Sequence, residues 1–102
     1  MDLIRPEAAL LQALIKGDSY GLELIDRVKD ATKGKLVLSQ ATIYPALRSM
    51  VTDGLLRSYE GEPLRERGGR PRRYYQITAK GRKVAMEDRQ TIAGLLGMPV
   101  LT

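Results

Sequence analysis

The 102-residue chain has no cysteine, no histidine and no tryptophan, and its five aromatic side chains are all tyrosines. Without cysteine there is no disulfide framework, no thiolate nucleophile and no soft metal ligand, which agrees with a reducing compartment. Without histidine the commonest general base and the imidazole metal ligand are gone as well. The carboxylates do not compensate, because they are scattered over helical faces beside lysine or arginine, as in Glu23, Asp26, Arg27 and Asp30. No catalytic residue, metal site or cofactor is therefore expected. The sequence also lacks any run of about eighteen apolar residues, and MDLIRPEAAL does not show the basic-then-apolar order of a signal peptide. The expectation is a cytoplasmic protein with no membrane partner.

A chain of this length makes one unit with a thin core, which a second subunit would help to bury. Its net charge is +5, and the placement of that charge says more than its size. Residues 65–83 hold Arg65, Arg67, Arg70, Arg72, Arg73, Lys80, Arg82 and Lys83 against Glu66 alone, a net +7 that leaves the remainder of the chain at −2. So local a field implies a polyanionic partner, with nucleic acid the default. A solvated loop that only keeps the protein soluble is the rival reading. Against that rival, the stretch RERGGRPRRYYQIT leads from its arginines straight into YYQI, whose alternation reads as a strand.

Helical periodicity organises the rest. Pro6 suits the first turn of a helix in which Leu10 with Leu14 and Leu11 with Ile15 make two adjacent apolar stripes, wide enough to be buried on more than one side. A turn at 17–19 precedes a second helix over 20–32, closed by Gly34, and the apolar, β-branched stretch 35–38 reads as a short strand. Ser39 is an N-cap for a third helix over 40–52, whose inner stripe is Ile43, Ala46, Leu47 and Met50. Pro45 within it removes a backbone donor and predicts a kink or a loosened first turn. Strands follow at 55–60 and 72–77, with Tyr75 and Ile77 on one face, Tyr74 and Gln76 on the other, and a projecting basic loop over 61–71. Thr78 caps a fourth helix, whose end is expected near Gly94, Gly97 and Pro99.

That order is mainly α with a small β-wing, a winged helix-turn-helix followed by a C-terminal dimerisation helix. It divides the chain at residues 1–78 and 79–102. In this architecture the third helix enters the major groove and the wing reaches a neighbouring backbone or minor groove. Three stretches carry a resemblance: SYGLELIDRV at 19–28, LSQATIYPALRSMVTDGLL at 38–56, and GGRPRRYYQITAKGR at 68–82. Tyr-Pro-Ala-Leu inside the recognition helix, combined with Gly-Gly-Arg-Pro before Tyr-Tyr and a Thr-x-x-Gly helix start, resembles the PadR family of bacterial transcriptional regulators, in its short subfamily.

The resemblance implies a homodimer on a pseudo-palindromic double-stranded DNA operator, usually a repressor released by a small-molecule effector or stress. It assigns Leu10, Leu11, Leu14 and Ile15, with Val84, Ile92 and Leu95, to the dimer interface, against the alternative that they are ordinary core. Some relatives hold flat aromatic drugs between tryptophans, and a chain without tryptophan cannot repeat that.

Position and chemistry assign the DNA contacts. Ser39, Gln40, Thr42 and Tyr44 project from the start of the recognition helix, where Pro45 sets the angle. Gln40 suits an adenine edge and Thr42 a thymine methyl. Tyr44 is a phosphate donor, with packing against the wing as its rival role, and Arg48 is a phosphate clamp, with a surface ion pair as its rival. Arg70 and Arg72 flank Pro71, and Gly69 beside them permits close approach. Tyr20 opens the second helix, whose N-terminal amides suit a phosphate. Two further readings stay open: a nonspecific or RNA-binding module, and a winged helix whose wing binds an acidic protein.

Overall fold

The computed structural model describes residues 5–63, 68 and 71–96, with Pro63 and residues 90–96 described by backbone alone. Helix α1 (Pro6–Ile15) starts at the proline, whose missing N–H is one of the donors a first turn leaves free in any case. It runs through the middle of the fold and packs on α2 (Gly21–Ala31), α3 (Gln40–Thr52) and α4 (Ala79–Leu96). That central position explains the width of its apolar stripe. Leu10, Leu11 and Leu14 are at most 1% exposed, all within a single chain, while Ile15 and Val84 pack on the edge of the same core. These leucines are thus occupied by their own chain and offer no free surface. The side chains of Ile92 and Leu95 lie outside the described residues.

Three antiparallel strands, β1 (Ser19–Tyr20), β2 (Leu56–Pro63) and β3 (Pro71–Ile77), form one sheet in the order β1-β3-β2. The third strand is therefore not at 35–38, where an apolar, β-branched stretch predicted it. A strand needs a neighbour with free backbone groups, and the open edge of β3 is taken by Ser19 and Tyr20, paired with Tyr75 and Tyr74. Residues 35–38 form an irregular connection, buried at Leu38 and exposed at Val37. Pairing also carries β2 to Pro63 and starts β3 at Pro71, so the hairpin loop is shorter than expected. Alternation along β3 holds: Tyr75 and Ile77 face the core.

The end of α2 has the left-handed cap expected at Gly34 and adds a residue to it. The residue that takes the left-handed turn just past the helix is Lys33, at φ 54°, followed by Gly34 at φ 80°. The Lys33 N–H reaches the Asp30 carbonyl at 3.1 Å and the Gly34 N–H reaches that of Lys29 at 2.8 Å. A side chain in this conformation costs about 1 kcal/mol that glycine avoids, partly offset by the greater freedom of glycine in the unfolded chain. Lys33→Gly is accordingly expected to raise unfolding free energy by about 0.5 kcal/mol, seen as a higher urea midpoint at constant slope. A lower midpoint would contradict this account of the cap.

Helix α3 begins at Ser39, whose Oγ accepts the Thr42 N–H at 3.2 Å. It runs unbroken to Thr52 around Pro45, so the loosened first turn expected there does not occur. The Ser39 carbonyl accepts from both Thr42 and Ile43, each at 3.0 Å, which closes that turn before the proline is reached. Its inner face, Ile43, Ala46, Leu47 and Met50, is buried.

Helix α4 is fastened to the end of α3. The Thr78 hydroxyl donates to the Gly54 carbonyl at 2.7 Å and accepts the Gly81 N–H at 3.0 Å, while Lys80 Nζ donates to the Asp53 carbonyl at 2.8 Å. A side chain at position 81 would collide with the Leu55 carbonyl oxygen. Further along, Gln12 Nε2 donates to the Ala85 carbonyl and Arg89 donates to Gln12 Oε1, both at 2.7 Å. The helix runs through Gly94 to Leu96, within the stretch from Gly94 to Pro99 where its end was expected. Among the described residues no helix is long and apolar enough to cross a membrane.

Candidate nucleic-acid interface

Burying one stripe of α3 in the core leaves the opposite stripe outside. Gln40, Ala41, Thr42, Tyr44, Pro45 and Arg48 are all exposed. Ser39 also donates its hydroxyl to Thr42 Oγ1 at 3.0 Å, so both hydroxyls are engaged in the cap and the Thr42 methyl is the part left for an apolar contact. The Gln40 amide makes no hydrogen bond among the described residues and can donate and accept at once, the pattern an adenine edge requires. Pro45 has no N–H to give the Ala41 carbonyl, which stays without its helical donor on this outer side.

Tyr44 lies 36% exposed, over the first turn of α2. A Cβ at position 21 would come within 2.7 Å of its Cε1 and hydroxyl oxygen, so the ring occupies the space that glycine leaves. Two groups meet the same spot from the other side. Arg72, on β3, lays its guanidinium over the Tyr20 ring at 4.3 Å from the centroid, an attraction between a cation and the electron-rich face. Its Nε is buried and has no hydrogen-bond partner among the described residues. The result is a cleft of about 260 Å³ bounded by Tyr20, Gly21, Leu22, Tyr44, Pro71 and Arg72. Its lining includes Gly21 and Leu22 at the start of α2, where first-turn N–H groups have no helical acceptors and the helix dipole is positive. The nearby Glu23 does not cancel that field: it accepts from Ser19 at 2.6 Å and pairs with Arg27 at 2.9 Å. An oxyanion fits this arrangement better than any neutral group.

A second cleft, about 360 Å³, separates α3 from the hairpin and is lined by Tyr44, Arg48, Val51, Ser58, Arg73 and Tyr75. Arg73 donates to Ser58 Oγ at 3.2 Å and reaches Glu60 at 3.9 Å. Arg48 enters no ion pair among the described residues. Burial pushes the Tyr75 hydroxyl pKa above its ordinary value, with Arg73 pulling it back. The hydroxyl stays protonated at neutral pH and can serve as a donor.

The structure thus brings together Tyr20, Tyr44 and Arg72 in the first cleft, with Gln40, Thr42 and Arg48 along the adjoining helix face. Gly69 and Arg70, with Arg65 and Arg67, lie outside the described residues. Sequence reasoning did not single out Leu22, 44% exposed at the cleft mouth, nor Arg73. It put Tyr74 on the outer face of the sheet but not its neighbours there: Tyr74 is stacked on Tyr59 (5.6 Å, 13°) and meets Tyr20 edge-on (5.7 Å, 77°). Tyr59 donates its hydroxyl to Asp18 Oδ2 at 2.6 Å, which raises its pKa, and burial adds to the shift.

A recognition helix with a free polar face, a cationic hairpin beside it and an anion-ready helix start between them describe a DNA-binding winged helix. The profile of the transcriptional regulator PadR-like family matches residues 10–87. The chain belongs to that family. Solved relatives agree with this PadR-like regulator over most of its length. A transcriptional regulator from Clostridium thermocellum superposes with TM-score 0.77 at 28% identity, covering 89% of this chain and 82% of the other. A PadR-like transcription factor from Bacteroides fragilis gives TM-score 0.74, also at 28% identity and with the same coverage, 89% and 82%. A PadR-like transcriptional regulator from Bacillus cereus gives 0.70 at 26% identity, again covering 89% and 82%. Membership makes the protein a DNA-binding transcriptional regulator, not an enzyme.

Proposed function

We propose that this PadR-like regulator is a repressor that binds a pseudo-palindromic duplex operator as a homodimer. The observation that carries the reading is the convergence of Tyr44, Arg72 and the start of α2 on one anion-ready cleft, beside the exposed face of α3. A backbone phosphate in that cleft would fix the register of α3, leaving Gln40 and Thr42 to read base edges. Arg48 would take a second phosphate further along the helix, and Gly69 and Arg70 would extend the contact through the wing.

A single α3 reads only a few base pairs. Two copies about 34 Å apart would read a half-site each, and this spacing is what a symmetric dimer supplies. With the leucines of α1 committed to the core, the outer side of α4, where Met86 is 38% exposed, is an apolar surface that a partner subunit would cover. A small molecule that alters the α4 contact would shift the spacing and release the operator.

Selection from random duplexes by the purified protein, followed by anisotropy titrations at several salt concentrations, tests the proposal. An enriched inverted repeat bound far more tightly than its scramble is expected, and Gln40→Ala should relax preference at one position per half-site. Equal, steeply salt-dependent binding to both duplexes would support a nonspecific nucleic-acid module instead.

A further inference from the structure

The wing hairpin is joined to the body unevenly. Its central strand β3 pairs with β1, but β2 is the far edge and pairs with β3 alone. One side chain bridges the gap. Asp18, in the turn before β1, receives the hydroxyl of Tyr59 from β2 at 2.6 Å and the amide of Gln76 from β3 at 3.4 Å, both on Oδ2. The carboxylate therefore ties the first and last strands of the sheet across the middle one. Beneath the tie, Tyr74 is held between Tyr59 and Tyr20, and Tyr20 in turn carries Arg72.

The turn that bears Asp18 is itself fixed to the helical body. Arg27 of α2 donates to the Gly17 carbonyl at 2.9 Å and the Asp18 carbonyl at 3.3 Å, and pairs with Glu23 at 2.9 Å. Force on the hairpin thus passes from Tyr59 through Asp18 to α2, the helix whose start lines the anion cleft.

From this connected set we infer that Asp18 is a positioning residue: it straps the β2–β3 hairpin to the body at the angle from which Arg72 meets the DNA backbone. The inference rests on the proposed DNA-binding reading. Electrostatics alone makes the opposite prediction. Asp18 is an acid close to a surface that binds a polyanion, so its removal should tighten binding and steepen the salt dependence. The strap requires weaker binding and a flatter salt dependence, because wing arginines would lose their phosphates.

Asp18→Ala, Asp18→Asn and Tyr59→Phe, titrated with duplex DNA between about 50 and 200 mM salt, separate the two. The asparagine variant removes the charge but keeps an oxygen that accepts the Tyr59 hydroxyl. Asp18→Ala and Tyr59→Phe are expected to bind about tenfold more weakly, with a log–log salt slope smaller by about two, while Asp18→Asn keeps the wild-type slope. Binding by Asp18→Ala that is as tight as wild type, or weaker at an unchanged slope, would overturn the strap. Amide exchange in β2 without DNA gives a second readout: faster exchange at Tyr59 and its neighbours in Asp18→Ala, with α1 and α3 unchanged, is expected, and unchanged β2 exchange would refute the tie. Wild-type protein that binds no duplex, with β2 exchange responding as expected, would count against the DNA reading and leave the strap standing.

Discussion

Leu47→Ala is expected to lower unfolding free energy by about 3 kcal/mol, whereas Arg48→Ala, one residue on, should change it by less than about 0.5 kcal/mol. Leu47 is fully buried in the core beneath the recognition helix, and removing its branched end leaves a cavity that α1, α2 and the sheet close only in part. In a domain of this size each kcal/mol moves the melting midpoint by roughly 5 °C, so the leucine variant should melt about 15 °C lower. Arg48 is exposed and in no ion pair among the described residues, so its loss should appear in DNA affinity and leave the melt alone. Thermal and urea unfolding, followed by duplex titration of whichever variant stays folded, check both halves. A loss below about 1 kcal/mol for Leu47→Ala would mean that the core is not keyed to the inner face of α3.

The contrast between these neighbours was legible in the sequence. Ser39 as a cap, followed by Ile43, Ala46, Leu47 and Met50 at helical spacing, assigns the inner face, and what remains is the outer face. Such signals are local, so they survive without knowledge of the rest of the fold. The features that were not legible depend on partners far away along the chain. Two residues, Ser19 and Tyr20, cannot display a strand period, and only the open edge of β3 turns them into a strand. The apolar stretch 35–38 carries the local signature of a strand but pairs with none of the sheet's strands among the described residues. The left-handed cap was legible at Gly34 but its extension to Lys33 was not, because the hydrogen bonds to Lys29 and Asp30 fix where the helix stops. The wide stripe of α1 was compatible with a second subunit or with a central position in one chain, and counting apolar residues cannot separate the two.

The candidate site divides in the same way. Charge placement and the projecting face of α3 pointed to nucleic acid from composition and period alone. The cleft itself is assembled from three segments, at Tyr20–Leu22, Tyr44 and Pro71–Arg72. Each segment alone has an ordinary structural explanation. Only their meeting supports the proposed anion site, because a helix start, the Arg72 side chain and the Tyr44 ring then line one small cleft.

Gly21→Ala tests that meeting point with one carbon atom. Gly21 is not among the residues with positive φ, so alanine suits its backbone and should slightly favour the helix. The added Cβ would instead come within 2.7 Å of the Tyr44 ring and hydroxyl, and the ring, being partly exposed, can swing outward. Stability should therefore stay within about 1 kcal/mol of wild type. Duplex affinity should fall about tenfold or more, because the hydroxyl leaves the phosphate position and the Cβ takes part of the cleft. Tyr44→Phe should reproduce the part of that loss due to the hydroxyl. A double-mutant cycle with Tyr44→Ala isolates the contact: once the ring is gone, alanine at position 21 meets nothing and should cost little further affinity. If Gly21→Ala costs as much without the ring as with it, the glycine serves direct approach of the DNA backbone to the start of α2, and the tyrosine is not what holds that space open.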